Sequence, residues 1–191
     1  MTFHRALTSV LALAVVAGLA SAQDAPKKSS PKKAPASPAM ETSTAIGGKR
    51  ITIKYSAPSV KGRKIFGEAP ALLPDNTVWR AGANQATALH TDGDITIGNL
   101  EVPAGDYTLY VFLDPKGWQL IVSKQTGQWG IGQGGTSLDE SKAIGRTPMK
   151  MTKPASMVET YKMTLLAGEG KKGMLTLEWE NVSASVDITA K

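Results

Sequence analysis

The sequence predicts an all-β domain, an antiparallel β-sandwich of jelly-roll or immunoglobulin-like architecture, behind a secretory leader and a polar spacer. Three observations predict it. Apolar and polar residues alternate with period two in short runs, the signature of strands with one buried face. Clusters of Gly, Pro, Asn and Asp separate those runs at short intervals, which is the spacing of sandwiches and barrels. Beyond the leader, no stretch offers three turns of helical periodicity.

Taken in order, residues 1–22 read as a signal peptide. Arg5 supplies a short positive region, Ala6 to Ala20 an apolar run, and Ala20-Ser21-Ala22 a small-x-small cleavage site. The run is short for a membrane span, so the sequence predicts no stable span once the leader is removed. The expected location is the bacterial periplasm or the medium. Residues 23–40 are Pro, Lys, Ser and Ala without periodicity and read as a disordered linker. Its pairs Lys27-Lys28 and Lys32-Lys33 could make weak contact with an anionic surface, although a solvated spacer is the simpler reading. From Glu41 onward, 17 basic residues stand against 15 acidic ones, so the basic balance belongs mostly to the spacer. That argues against a nucleic-acid partner. The chain has no cysteine, which excludes disulfides, thiol chemistry and a lipidated cysteine at the cleavage point.

The domain, expected over residues 41–191, starts with a clear strand at Arg50–Tyr55. Ala86–Thr91 reads as a second strand. Asp94–Ile97 and Leu100–Val102 form a hairpin about Gly98-Asn99, and Asp106–Leu113 pairs with Trp118–Ser123 about Asp114-Pro-Lys-Gly117. Gly127–Gly145 is a long, flexible Gly-rich loop with a short helical turn near Leu138–Lys142. It lacks the βαβ context of a dinucleotide loop. Strands follow at Arg146–Thr152, Glu159–Leu166, Met174–Trp179 and Ser185–Thr189.

Between the first two strands lies the densest collection of shaping residues, Tyr55-Ser-Ala-Pro-Ser-Val-Lys-Gly-Arg-Lys-Ile-Phe-Gly67 and then Val78-Trp-Arg-Ala-Gly-Ala-Asn-Gln-Ala-Thr87. With Ile97-Gly-x-Leu100, Pro-Ala-Gly-Asp-Tyr107, Trp118, Gln128-Trp-Gly130 and Leu177-Glu-Trp-Glu180, these motifs resemble the bacterial exported family "domain of unknown function 2911" across Glu41 to Lys191. The resemblance implies an exported all-β protein and no particular chemistry. Two departures accompany it. Gln85 stands where the family commonly has Glu, and the segment Glu68 to Asn76 differs from the family's usual linker.

Candidate chemistry is sparse. His90 is the one histidine outside the leader, which excludes a His-rich zinc site and leaves a simple exposed strand histidine as the plainer reading. Asp92-Gly-Asp94 is too short of carboxylates for calcium and reads as a polar turn. No metal and no cofactor is therefore expected. The strongest cluster is Arg80 with Asn84, Lys61, Arg63 and Trp79, in which a guanidinium could take a carboxylate or phosphate and an amide could fix a hydroxyl. The competing structural reading pairs Arg80 with Asp106 or Glu68. Among the tryptophans, Trp179 alternates with Leu175 and Leu177 into the core and Trp118 covers a sandwich end, leaving Trp79 and Trp129 as possible platforms. The leading expectation is a non-enzymatic envelope module that binds a small molecule or glycan. One alternative is a hydrolase of glycans or esters using carboxylates such as Asp106 and Glu68, and another is a purely structural domain.

Overall fold

The computed structural model describes residues 36–133 and 135–191, so the leader and most of the spacer lie outside the described residues. Strands β1 (Ala39–Ile46), β2 (Lys49–Ser56), β5 (Val78–Trp79), β6 (Thr87–Thr91), β9 (Gly105–Phe112), β10 (Gln119–Ser123) and β11 (Ala143–Pro148) make one antiparallel sheet, in the order β1-β2-β6-β9-β10-β11 with β5 also pairing β9. The second sheet contains β7 (Ile95–Ile97), β8 (Leu100–Val102), β12 (Lys150–Thr152), β13 (Val158–Ala167), β14 (Lys172–Glu180) and β15 (Val182–Ala190), in the order β13-β14-β15-β7-β8 with β12 on β15. A small parallel pair, β3 (Phe66–Gly67) and β4 (Leu73–Pro74), sits apart from both. The two large sheets pack face to face as a sandwich, as the sequence predicts. No helix among the described residues is long and apolar enough to cross a membrane.

The alternation read from the sequence places the core. Ile51, Ile53 and Tyr55 of β2 are buried while Arg50 and Lys54 are exposed. On β14, Leu175, Leu177 and Trp179 point the same way, inward. Six aromatic rings meet within this core: Tyr55, Phe66, Trp79, Trp118, Tyr161 and Trp179. Phe66 stands edge-on to all of Trp79, Trp118 and Trp179, while Trp79 stacks on Trp179 at 5.9 Å. Such pairs add roughly 0.5–1.5 kcal/mol each beyond the area they bury.

Three expectations need correction. The first strand takes in Ala39 and Met40, which the sequence assigns to the spacer. Its hairpin with β2 turns on Gly47-Gly48, both at positive φ (55° and 78°), as a two-residue turn requires. The segment Arg146–Thr152 is two strands in different sheets. Pro148 has no N–H to continue the ladder, and the chain crosses at buried Met149, whose amide is held by Trp118 O at 2.9 Å.

The Gly-rich loop is also anchored more firmly than expected. Gln128 Nε2 donates to Tyr110 Oη (2.7 Å) and Thr108 Oγ1 (3.2 Å), Gln125 Nε2 donates to Ser137 O (3.0 Å), and the Asp139 amide donates to Gln125 Oε1 (3.0 Å). These bonds lay the loop over the first sheet, which is why Tyr110 and Ile121 are fully buried without belonging to the inter-sheet core. The short 3-10 turn it carries, Glu140–Lys142, falls within the stretch expected to be helical.

Candidate functional site

The long motif both plugs the core and shapes a surface. Trp79 enters the core from β5, pinned by pairing to Val111 of β9. The chain then turns sharply through Ala81 and Asn84, both at positive φ (53° and 60°). A left-handed alanine costs on the order of 1–2 kcal/mol, whereas asparagine tolerates the conformation better. The turn is held by Trp79 Nε1 donating to Gly82 O (2.9 Å), Thr87 Oγ1 to Ala81 O (2.7 Å), Ala83 N to Ser56 O (3.1 Å) and Gly130 N to Asn84 O (3.0 Å). Adjacent residues thereby face opposite environments, Trp79 the interior and Arg80 a cleft.

That cleft has a volume of about 910 Å³ and is bordered by Lys61, Arg63, Arg80 and Asn84, with Leu72, Leu73, Pro74, Val78 and Ile131 among its apolar walls. The size suits a small organic ligand. Among the described residues, no aspartate or glutamate lines it. Arg80 is half-buried, its Nε is buried without a hydrogen-bond partner among the described residues, and no carboxylate pairs with it. Burial alone lowers the guanidinium pKa, with no neighbouring anion to raise it. An arginine nonetheless stays charged, so the cleft holds a half-buried positive charge beside the exposed ones of Lys61 and Arg63. Its stem is locked in place because Gly130 lies directly against it. A Cβ at Gly130 would overlap Arg80 Cβ, Cγ and Cδ.

The site residues expected from the sequence divide. Arg80, Asn84, Lys61 and Arg63 converge on the cleft. Arg63 is partly committed, since its Nε and Nη2 donate to Val60 O and Ser59 O at 3.0 and 2.6 Å. Lys61 is exposed, with its amide fixed by Glu159 Oε1 at 2.9 Å. Trp79, only 3% exposed and surrounded by aromatic rings, forms part of the cleft's base rather than an open stacking platform. The pairing of Arg80 with Asp106 or Glu68 is corrected. Asp106 bonds His90, and neither carboxylate reaches the cleft. Leu72, Ile131 and Gly130 were missed as site residues. The available clue was that Leu72 and Ile131 are large aliphatics in turn-rich stretches, with no strand face on which to be buried.

His90 forms a separate cluster. Its Nδ1 lies 2.7 Å from Asp106 Oδ1 and its Nε2 3.3 Å from Asp92 Oδ1, all three being exposed. The hydrogen bond to Asp106 is the main cause of a raised imidazole pKa. Among the described residues, no group of three or more His, Cys, Asp or Glu could hold a metal ion.

Comparison with known proteins points one way. No curated protein and no solved structure matches the chain. The family profile described as Protein of unknown function (DUF2911) matches residues 37–188, which takes in every residue of the Arg80 turn and both sheets but for the last two residues of β15. The chain therefore belongs to this family of proteins of unknown function, DUF2911.

Proposed function

We propose that the protein is an exported, non-enzymatic β-sandwich module that binds an anionic ligand in the Arg80 cleft within the bacterial envelope. The observation that carries this reading is a half-buried guanidinium in a cleft lined by cations, with no carboxylate paired to it or lining the cleft among the described residues. A protein gains nothing in stability from a desolvated charge left unpaired, and an orphaned buried donor costs about 1–3 kcal/mol. A ligand anion in the cleft would give the guanidinium a counter-charge through the nitrogens that remain accessible. Export rests on the leader sequence and fits the absence of cysteine. The hydrolase reading requires two carboxylates, or serine with His90, at one cavity. Asp106 and Glu68 do not line this one. Asp106 borders a separate open cleft with Glu41 and His90, where Asp106 is bonded to His90 and Glu41 is paired with Lys54. At the Arg80 cleft, binding is therefore the better-supported reading.

The test is thermal unfolding of the leaderless protein with acetate, octanoate, citrate or phosphate against matched chloride, beside the Arg80→Met variant. At least one anion should raise the wild-type midpoint by mass action and leave the variant unmoved. A wild-type midpoint indifferent to all of them, or a shift that survives in Arg80→Met, overturns the proposal.

A further inference from the structure

The ligand's chemical class can be narrowed, on the assumption that the cleft binds anions at all. We infer that it takes a monocarboxylic acid with an apolar body, aliphatic or aromatic, in preference to a sugar acid or a phosphate.

Charge is the first argument. Arg80 is the cation set into the cleft, whereas Lys61 and Arg63 are exposed and Arg63 already spends two donors on backbone carbonyls. One fixed positive charge matches one negative charge, and a guanidinium fork matches a carboxylate bidentately. The exposed cations at the rim steer an anion inward with little call on direct contact.

The second argument is what surrounds the charge. A glycan requires hydrogen-bonding partners for its hydroxyls, and three of the four lining hydroxyls, all but Ser37, already hold a bond within the chain. Ser59 Oγ is bonded to Thr160 Oγ1 (3.2 Å), Thr77 Oγ1 donates to Pro74 O (2.6 Å) and Thr136 Oγ1 accepts from the Leu138 amide (3.2 Å).

The apolar lining, by contrast, lacks cover. Leu72 and Ile131 border the cleft with 45% and 47% of their surface open to solvent, although large aliphatics gain by burial. A ligand whose acid group meets Arg80 and Asn84 and whose body lies against Leu72 and Ile131 satisfies both deficits at once. A fully polar anion would meet Arg80 and leave the aliphatics exposed.

Calorimetric titration of the leaderless protein with octanoate and phenylacetate, against acetate, galacturonate and inorganic phosphate, tests this. Octanoate or phenylacetate should bind at least about tenfold tighter than acetate, as burying a few methylenes or a ring predicts. The double variant Leu72→Ser/Ile131→Ser changes only exposed side chains, so it should fold normally. It should lose most of that advantage while binding acetate as the wild type does. Arg80→Met should bind none of them. If acetate, galacturonate or phosphate binds as tightly as octanoate and phenylacetate, and does so through Arg80, the apolar-acid inference falls while the anion-binding reading stands. If the preference for apolar acids survives the double variant, the assignment to Leu72 and Ile131 is overturned. If no anion binds in an Arg80-dependent way, both readings fall.

Discussion

Arg80 and His90 both sit beside β9, and they show two opposite ways of holding a charge. His90 lies on an exposed strand face, with Asp106 on one ring nitrogen and Asp92 on the other. It borders a shallow cleft with Asp106 and Glu41, but its charge is met from within the chain and bathed in solvent, so it needs no ligand to complete it. Arg80 is half withdrawn from water, faces a cleft without carboxylates and has a buried donor unmatched among the described residues. The cluster that looks more like chemistry, a histidine between two aspartates, is the self-sufficient one. The lone arginine is incomplete, and incompleteness in a cleft is the better indicator of a binding site.

The largest expected effect separates the scaffold of the cleft from its charge. Trp79→Ala removes the ring that touches Phe66, Trp118, Tyr161 and Trp179 and the indole N–H that holds Gly82. It should cost about 3–5 kcal/mol and lower the melting temperature by about 10 °C or more. Gly130→Ala comes next. Its new methyl must displace the Arg80 stem, costing on the order of 1–3 kcal/mol, and calorimetry should show anion binding lost along with it. Arg80→Met, next door to Trp79, should go the other way. It keeps an unbranched apolar stem and removes a desolvated, unpaired charge, so chemical denaturation should find stability unchanged or raised by about 1 kcal/mol. A large loss of stability in Arg80→Met would reverse the comparison and make the arginine a structural keystone.

The sequence showed the sandwich because its strands carry their own record. Ile51, Ile53 and Tyr55 alternate, as do Leu175, Leu177 and Trp179, and period two survives whatever the partner strand. It did not show that Arg146–Thr152 divides between sheets, because a strand crossing from one layer to the other keeps a strand-like composition throughout. Arg80 and Asn84 were legible from the density of Gly, Asn and Trp around them. How deeply Trp79 is buried was not legible, because its environment depends on Trp118 and Trp179, distant in sequence. That neither Glu68 nor Asp106 stands beside Arg80 is a fact of three-dimensional arrangement that the sequence does not carry.

The smallest expected effect concerns the other half of the comparison. The hydrogen bond to Asp106, with Asp92 adding to it, raises the folded-state pKa of His90 above the value of about 6.5 expected when unfolded. The imidazolium is thus favoured by folding. Its contribution to stability is fully present below about pH 6.5 and fades as pH rises through the higher folded pKa. Because His90 and Asp106 are 48% and 73% exposed, solvent screening limits that contribution to less than about 1 kcal/mol. NMR titration of the His90 ring should show the raised pKa in the wild type and a return toward 6.5 in Asp106→Asn. The variant should also be less stable than the wild type at pH 5, with the gap closing by pH 8. Anion binding at Arg80 should be unaffected by Asp106→Asn, since Asp106 does not line the cleft. A change in that affinity would mean that the two charges are coupled through β9 and that His90 belongs to the site after all.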